Sequence, residues 1–213
     1  LVLVGIGIGA IIGSLIALKV KMTSIPEMVA LFNGFGGLAT FFIAWSEFNS
    51  IPSNNFQYLL VMITTYIGGV TFSGSVIAYG KLSETLKVEK TSIITKLFTT
   101  FFYISIIYLL YSIFITKIFS PGFDFYTILL ILTLLGGVGF VIPIGGGDMP
   151  VVISLLNSFS GIAAAFAGLL LLNNVLIVAG SLVGASGLIL TIIMAKAMNC
   201  LLYTSPSPRD GSE

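Results

Sequence analysis

Long apolar segments alternate with short polar ones along the chain, and this pattern predicts membrane-spanning helices. A helix crosses the hydrocarbon core of a bilayer in about 20 residues. Seven segments approach or reach this length: Leu1–Leu18, Pro26–Trp45, Tyr58–Tyr79, Leu97–Ile118, Tyr126–Ile142, Pro150–Leu172 and Val175–Met198. Backbone polar groups in lipid must be satisfied within the segment, and a transmembrane barrel would instead show strands of about 10 alternating residues. We therefore predict an all-α transmembrane bundle of about seven helices.

The composition supports a membrane protein and removes several classes of function. Hydrophobic residues make up 57% of the 213 residues, charged residues make up 8%, and the mean hydropathy is +1.13. The chain has no histidine and a single cysteine, Cys200, which leaves little for a metal site or for His-based catalysis. The chain lacks a basic patch interleaved with aromatic residues, so the sequence gives no reason to expect a nucleic-acid partner. Its apolar composition instead predicts membrane lipid as its environment.

Lysines concentrate in alternate loops and predict the orientation of the helices. They follow the first and third segments and end the seventh, at Lys19, Lys21, Lys81, Lys87, Lys90, Lys96 and Lys196. The opposite loops hold only Lys117, beside Asp124, together with Glu47 and two asparagines. By the positive-inside rule the first helix runs from outside to inside. The Lys81–Lys96 loop and the Gly145–Asp148 loop are then both expected to face the cytosol or matrix.

Two of the predicted helices begin with similar windows, PEMVALFNGFGGLA from Pro26 and PVVISLLNSFSGIA from Pro150. Six of the fourteen positions are identical, including one asparagine in each window, Asn33 and Asn157. Each window is followed by a helix that contains Ser-Gly and closes at a lysine. The pattern indicates a parallel internal repeat, in which helices 1–3 match helices 5–7, as in some transporters. Helix starts of convergent chemistry are the alternative.

The segment GGGDMPVVISLLNSFSG, Gly145–Gly161, places an acid at a helix start and an amide in its middle. Asp148 is a natural N-cap whose carboxylate can accept the Val151 amide, with Pro150 in the first turn. A functional alternative is that this acid exchanges protons or gates access beside the glycine loop, and neither role excludes the other. Asn157 lies roughly 13 Å further along the helix, near mid-membrane.

An amide at this depth needs partners, which are either a neighbouring helix or ordered water. By the repeat, Asn33 is expected at the same depth as Asn157, and Ser73 and Ser186 supply further hydroxyls. Neither amide titrates, so both can order water but cannot bind the transported proton. We expect the second, third, sixth and seventh helices to surround one polar interior, with the first, fourth and fifth outside it.

These motifs resemble a known family. The Gly145–Gly161 segment and NNVLIVAGSLVGASGLILTIIMAKAMN are similar to the membrane domain of the beta subunit of proton-translocating NAD(P) transhydrogenase. KMTSIPEMVALFNGFGGLA and GGVTFSGSVIAYGKL match the same family, so that the resemblance covers about Val4 to Asn199. It implies a domain that conducts protons while a hydride passes between NAD(H) and NADP(H) on soluble domains, and neither nucleotide site lies in these segments.

The resemblance also implies partners and site residues. It places Asp148 and Asn157 in the proton path or in its coupling to the NADP-binding domain, and Ser186 and Gly187 along the last channel helix. Many family members carry a histidine at the position of Asn33, so the titrating group is expected on another helix, of the alpha subunit or of a preceding part of the chain; a poorly coupled protein is the alternative. The implied partners are the alpha subunit, the chain's own NADP-binding domain and a second alpha–beta unit, in a bacterial or mitochondrial inner membrane.

Two alternatives to this function remain at this point, a secondary transporter of an ion or small solute that rocks its two repeats and a membrane anchor without transport. The chain opens inside an apolar run, so we expect an amino-terminally truncated channel domain over residues 1–199. Residues 200–213 change abruptly to Ser, Pro and charge. They are expected to form a disordered, non-native tail that resembles a translated sequencing adapter, and a genuine flexible linker is the alternative.

Overall fold

The computed structural model describes residues 2–50, 54–86, 93–116 and 123–198. These residues form seven α-helices and no strand, which confirms the predicted fold class for the described part of the chain. The helices are α1 (Val2–Lys19), α2 (Ile25–Asn49), α3 (Asn55–Leu82), α4 (Ile93–Thr116), α5 (Phe123–Val141), α6 (Met149–Leu170) and α7 (Asn174–Ala197). Six of them, α2 to α7, are long and apolar enough to cross a membrane, and α1 is apolar but shorter. The predicted tail, residues 200–213, lies outside the described residues.

Helices α2 and α3 are longer than the apolar segments that predicted them. The α3 helix begins at Asn55 because the side chain of Asn54 accepts a hydrogen bond of 2.9 Å from the amide of Gln57. Asn173 caps α7 in the same way through the amide of Leu176, at 3.1 Å. A side-chain oxygen at the N-cap satisfies an amide that has no partner inside the helix. The polar ends of these helices are therefore ordered by capping as well as by apolar burial.

The α3 helix occupies the centre of the bundle. It packs against α2, α5 and α6, while α4 lies outside α5 and α7 lies outside α6. One apolar cluster joins the end of α3 to the starts of α2 and α6, through Ala78, Ala30 and Met149. A second cluster lies at the opposite end, where the rings of Phe48 and Tyr126 stack. The first of these ends, where Pro26 and Pro150 start their helices, is called the proline end below.

Glycines set the closest helix contacts. A Cβ at Gly137 of α5 would collide with Ser73 and the backbone of Val70 on α3. On α6, a Cβ at Gly161 would collide with the backbone of Gly184 on α7. Small residues at such crossings let helix backbones approach closely in membranes. The glycines of α1, in contrast, face open space within this chain, and α1 makes hardly any contact with the other described helices.

This packing differs from the expected arrangement of four helices around one polar interior. Within the described residues, α7 packs on α6 and makes no extensive contact with α2 or α3, and α5 packs directly on α3 rather than outside the bundle. The expectation was wrong because the glycines of α7 and α5 favour close backbone contact with α6 and α3 respectively. Among the described helices, α2, α3 and α6 therefore form the polar interior.

The internal repeat stays a prediction, although its two windows share local structure. Each is preceded by a three-residue 3-10 turn, Met22–Ser24 before α2 and Gly146–Asp148 before α6. In each helix the proline is the second residue. Gly37 and Gly161, at matching positions, both meet the backbone of the helix that follows. The first and fifth helices differ, because α5 is packed on α3 and α1 has no comparable contact.

The same-side relation of the third and fifth connecting segments is confirmed for the described residues, since Lys81 bonds carbonyls just before the Gly145–Asp148 loop. Which side of the membrane they face is a prediction. Cysteines introduced at Glu84 and Gly147 are expected to react with an impermeant maleimide only in inside-out vesicles. A cysteine at Asn54 is the matched control and is expected to react only in right-side-out vesicles. Labelling of Glu84 and Gly147 from opposite faces would contradict the topology.

Candidate functional site

The start of α6 carries the acid that the sequence singled out. Asp148 ends a 3-10 turn with φ −92° and ψ 0°, and the following amide of Met149 bonds to the carbonyl of Gly146. Its side chain makes no capping hydrogen bond, so the predicted bond to the Val151 amide is wrong. An N-cap residue normally has extended dihedrals, which aim its side chain at the helix amides. The helical dihedrals of Asp148 turn the half-buried carboxylate away from this task.

A hydrogen-bonded chain joins α3, α2 and α6 in the middle of the bundle. The side-chain amide of Asn33 donates to the hydroxyl of Ser75 at 3.0 Å. The hydroxyl of Ser160 lies 2.8 Å from the side-chain oxygen of Asn33 and also 2.8 Å from the carbonyl oxygen of Asn157. A hydroxyl carries only one proton, so Ser160 donates to one of these two oxygens at a time. The proton on this hydroxyl therefore has two alternative acceptors on two helices.

The hydrogen-bonded chain borders a groove of about 360 Å³ between α2 and α6. The residues that line it are Val29, Phe32, Asn33, Gly36, Asn157 and Ser160. Asn33 is half-buried, and the side chain of Asn157 is exposed in the groove. The groove is large enough for several water molecules, since a water occupies about 30 Å³ of liquid volume. The groove is thus an open space along the two helices, lined by both polar and apolar side chains, that can hold several water molecules.

The two amides lie at the same distance from the starts of their helices, which agrees with the repeated windows; their depth in the membrane stays a prediction. Asn33 is eight residues beyond Ile25, the first residue of α2, and Asn157 is eight residues beyond Met149, the first residue of α6. At 1.5 Å per residue each amide is roughly 12 Å from its helix start. The bridge through Ser160 brings them to one level across the groove. Asn157 would face lipid if no other chain covered the groove.

The other sequence-predicted residues lie away from the groove. Ser73 is buried between α3 and α5, where its hydroxyl donates to the carbonyl of Gly69 at 3.0 Å. Ser186 is exposed on α7 and donates to the carbonyl of Val183 at 3.1 Å. Gly187 lies against Ser158 of α6. The structure therefore brings Asn33 and Asn157 together and separates Ser73, Ser186 and Gly187 from them.

The residue Gly187 belongs to a dry, polar contact between α6 and α7. Its carbonyl accepts hydrogen bonds from Thr191 at 2.7 Å and from Ser154 at 3.4 Å. Ser158 donates to the carbonyl of Gly184 at 2.6 Å. All these hydroxyls are buried. The bonds from Ser154 and Ser158 run between the two helices, and such bonds contribute about 0.6 kcal/mol each on average in membranes. The contact is suited to holding α7 on α6.

Sequence reasoning missed Ser75 and Ser160. Ser160 had a signal, because it lies three residues after Asn157 and residues at this spacing share a helix face. Ser75 is 42 residues from its partner Asn33 and had no such signal. Within the described ranges, no group of three acidic, histidine or cysteine side chains is placed to hold a metal ion. The site thus consists of amides and hydroxyls, with one acid at the proline end.

Comparison with known proteins identifies the family. A family model described as NAD(P) transhydrogenase beta subunit matches residues 1–204. Two curated relatives named NAD(P) transhydrogenase subunit beta, both from Rhodospirillum rubrum, are each 38% identical over 221 aligned residues. The alignments cover 100% of this chain and 47% of each relative, so the chain spans about half the length of the curated relatives it matches. The apolar helices and these matches together make the chain a multi-pass membrane protein of the NAD(P) transhydrogenase beta subunit family.

Proposed function

We propose that this chain conducts protons across the membrane, coupled to hydride transfer between NAD(H) and NADP(H) on soluble domains of the same enzyme. The observation that carries the proposal is the hydrogen-bonded chain from Ser75 through Asn33 to Ser160, which opens into a groove along the first half of α2 and α6. Polar groups inside a membrane are expensive and mark ion or proton pathways. Family membership supplies the reaction to which such a pathway belongs.

The groove residues orient water and do not carry the proton as a charge. Hydroxyls and amides both donate and accept hydrogen bonds, so Ser160, Asn33 and Asn157 can hold a file of water molecules in the groove. The titrating group comes from a helix of another chain or segment that covers the open side. We assign the covering helix to the alpha subunit or to a further part of the beta subunit. The complete enzyme is then a dimer of alpha–beta units in a bacterial or mitochondrial inner membrane.

Asp148 couples the pathway to the NADP-binding domain. Its carboxylate is half-buried at the proline end, beside the glycines and without a capping bond. An acidic side chain is a favourable residue at the positive end of the α6 dipole. A carboxylate that is not used in capping is free to exchange partners when the NADP-binding domain changes state. The nucleotides themselves bind elsewhere in the enzyme.

Ser73, Ser186 and Gly187 have lesser parts in this proposal. Ser73 and Gly187 act through packing, because they set the contacts of α3 with α5 and of α6 with α7. Ser186 faces outward on α7 and takes part in a proton path only where a further chain covers that face.

Replacement of Asp148 tests this function. In the complete enzyme, Asp148→Asn is expected to lower proton pumping and reverse transhydrogenation at least about fivefold. This factor corresponds to about 1 kcal/mol, the lower end of the usual coupling free energies between two sites. The free energy of unfolding should change by no more than about 0.5 kcal/mol, because no capping bond is lost. Pumping in reconstituted vesicles and the thermal midpoint measure these effects.

Asp124→Asn is the matched control, since Asp124 is an exposed acid in the first turn of α5. This variant should pump as the unchanged enzyme does. Normal pumping by Asp148→Asn together with a lower thermal midpoint would assign Asp148 a structural role and refute its part in coupling.

A further inference from the structure

One lysine joins the end of α3 to the loop that leads into α6. The Nζ of Lys81 donates to the carbonyl of Val141 at 3.2 Å and to that of Ile144 at 2.6 Å, and it also bonds the carbonyl of Ile142. Val141 is the last residue of α5, where carbonyls lack partners within the helix. A cation at this place also interacts favourably with the negative end of the helix dipole. The ammonium therefore holds the backbone that follows α5.

Only three glycines separate this anchored backbone from Asp148. A Cβ added at Gly146 or Gly147 would meet nothing within 4 Å, and no described glycine has a positive φ. The observed conformation therefore requires glycine at Gly146 and Gly147 neither for space nor for a left-handed backbone. Glycine loses more conformational freedom than any other residue when it is ordered. Besides the backbone hydrogen bonds of its own 3-10 turn, the loop thus depends on contacts at its ends to keep one conformation.

The structure supplies such contacts on both sides of the loop. Lys81 holds the carbonyl of Ile144 immediately before the glycines. Met149, immediately after Asp148, is fully buried in the apolar cluster that also contains Ala78, on the same turn of α3 as Lys81. The place of the Asp148 carboxylate therefore depends on the end of α3.

We propose that Lys81 is a positioning residue for Asp148, in which its ammonium keeps the glycine loop in the conformation that presents the carboxylate at the start of α6. The inference rests on the proposed role of Asp148 in coupling. It differs from simple capping of α5 in the expected effect of removing the Lys81 ammonium. Capping alone predicts only a loss of stability. Positioning predicts in addition a more mobile glycine loop and fewer protons pumped per hydride transferred.

The experiment compares Lys81→Met, Lys81→Arg and Lys196→Met in the complete enzyme in vesicles. Lys196 is the matched control, because it is an exposed lysine in the last turn of α7, which the predicted topology ends on the same side. The first measurement is the reaction rate of a water-soluble maleimide with Gly147→Cys, in a background in which Cys200 and any other cysteine are serine. The second is the number of protons pumped per hydride transferred.

Lys81→Met is expected to speed labelling at Gly147→Cys and to lower the proton-to-hydride ratio at least about fivefold. Lys81→Arg keeps the charge and the N–H donors and should restore most of both. If Lys81→Met does not insert, Lys81→Gln takes its place, since it keeps N–H donors but removes the charge. Labelling and ratio equal to those of Lys196→Met would overturn the proposal.

The two proposals can fail separately. If Asp148→Asn leaves both proton pumping and reverse transhydrogenation unchanged, the coupling role of Asp148 fails, and the labelling rate alone decides whether Lys81 positions the loop. If Asp148→Asn lowers pumping and reverse transhydrogenation while Lys81→Met changes neither the labelling rate nor the proton-to-hydride ratio, Asp148 keeps its role and the positioning by Lys81 is refuted.

Discussion

Leucine in place of Asn33 is expected to lower proton pumping by the complete enzyme about tenfold, the rate effect of about 1.4 kcal/mol, which lies within the cost of leaving a hydrogen-bonding group without its partner. Asn33 is the only described side chain that bonds both Ser75 on α3 and Ser160 on α6. Leucine would remove a donor and an acceptor and add an apolar wall to the groove. Water in the groove would then lose its continuous set of polar partners.

The measurement is proton pumping in reconstituted vesicles, with the amount of inserted protein determined in parallel. Asn49→Leu is the matched control, because Asn49 lies on the same helix, is exposed and bonds only the carbonyl of Trp45 among the described residues. It should pump normally. Asn33→Gln keeps the amide and should retain part of the activity. Unchanged pumping by Asn33→Leu would place the proton path outside this groove.

Leucine in place of Gly161 is expected to destabilise the protein by about 3 kcal/mol, the upper range for overpacking a close contact. A Cβ at this position would overlap the backbone of Gly184 on α7. The two helices would have to separate, and the hydrogen bond of 2.6 Å from Ser158 to the Gly184 carbonyl would be lost. The α7 helix would then lose the one extensive contact that it makes in the described bundle.

Thermal unfolding in detergent measures this effect. Gly9→Leu is the matched control. Gly9 also lies in an apolar helix, α1, but a Cβ at this position would meet nothing within 4 Å. Its thermal midpoint should equal that of the unchanged protein. If Gly161→Leu had the same thermal midpoint as the unchanged protein, the contact between α6 and α7 would not contribute to stability. The hydrogen bonds of the serines between these helices would then be dispensable.

The candidate site was predictable in part. The asparagines of the two repeated windows were expected at one depth, and Asn33 and Asn157 do share the groove. Depth follows from the helix rise and the position of the proline, so it is a local property. Their partners were not predictable, because Ser75 reaches Asn33 only through the packing of α2 on α3, and Ser160 reaches it only through the packing of α6 on α2.

The role of Asp148 shows the same division at a single residue. Its sequence context, an acid before Met149 and Pro150, is that of an N-cap. The 3-10 turn that precedes α6 gives Asp148 helical dihedrals instead, and the capping bond is not made. Lys81 holds the backbone before this turn from another helix, which no local pattern around Asp148 could indicate.

For the described residues, the sequence by itself determined the number of helices and the distance of the two amides from their helix starts, because an apolar segment of about 20 residues in lipid must satisfy its backbone polar groups as a helix. Only the tertiary structure decided which helices enclose the polar groove. Ser73 and Ser186 follow similar patterns in sequence, yet one is buried against α5 and the other is exposed on α7. Which neighbour a membrane helix selects depends on the fit of glycine backbones and hydroxyls across helices distant in sequence, and that fit arises only when the bundle is assembled.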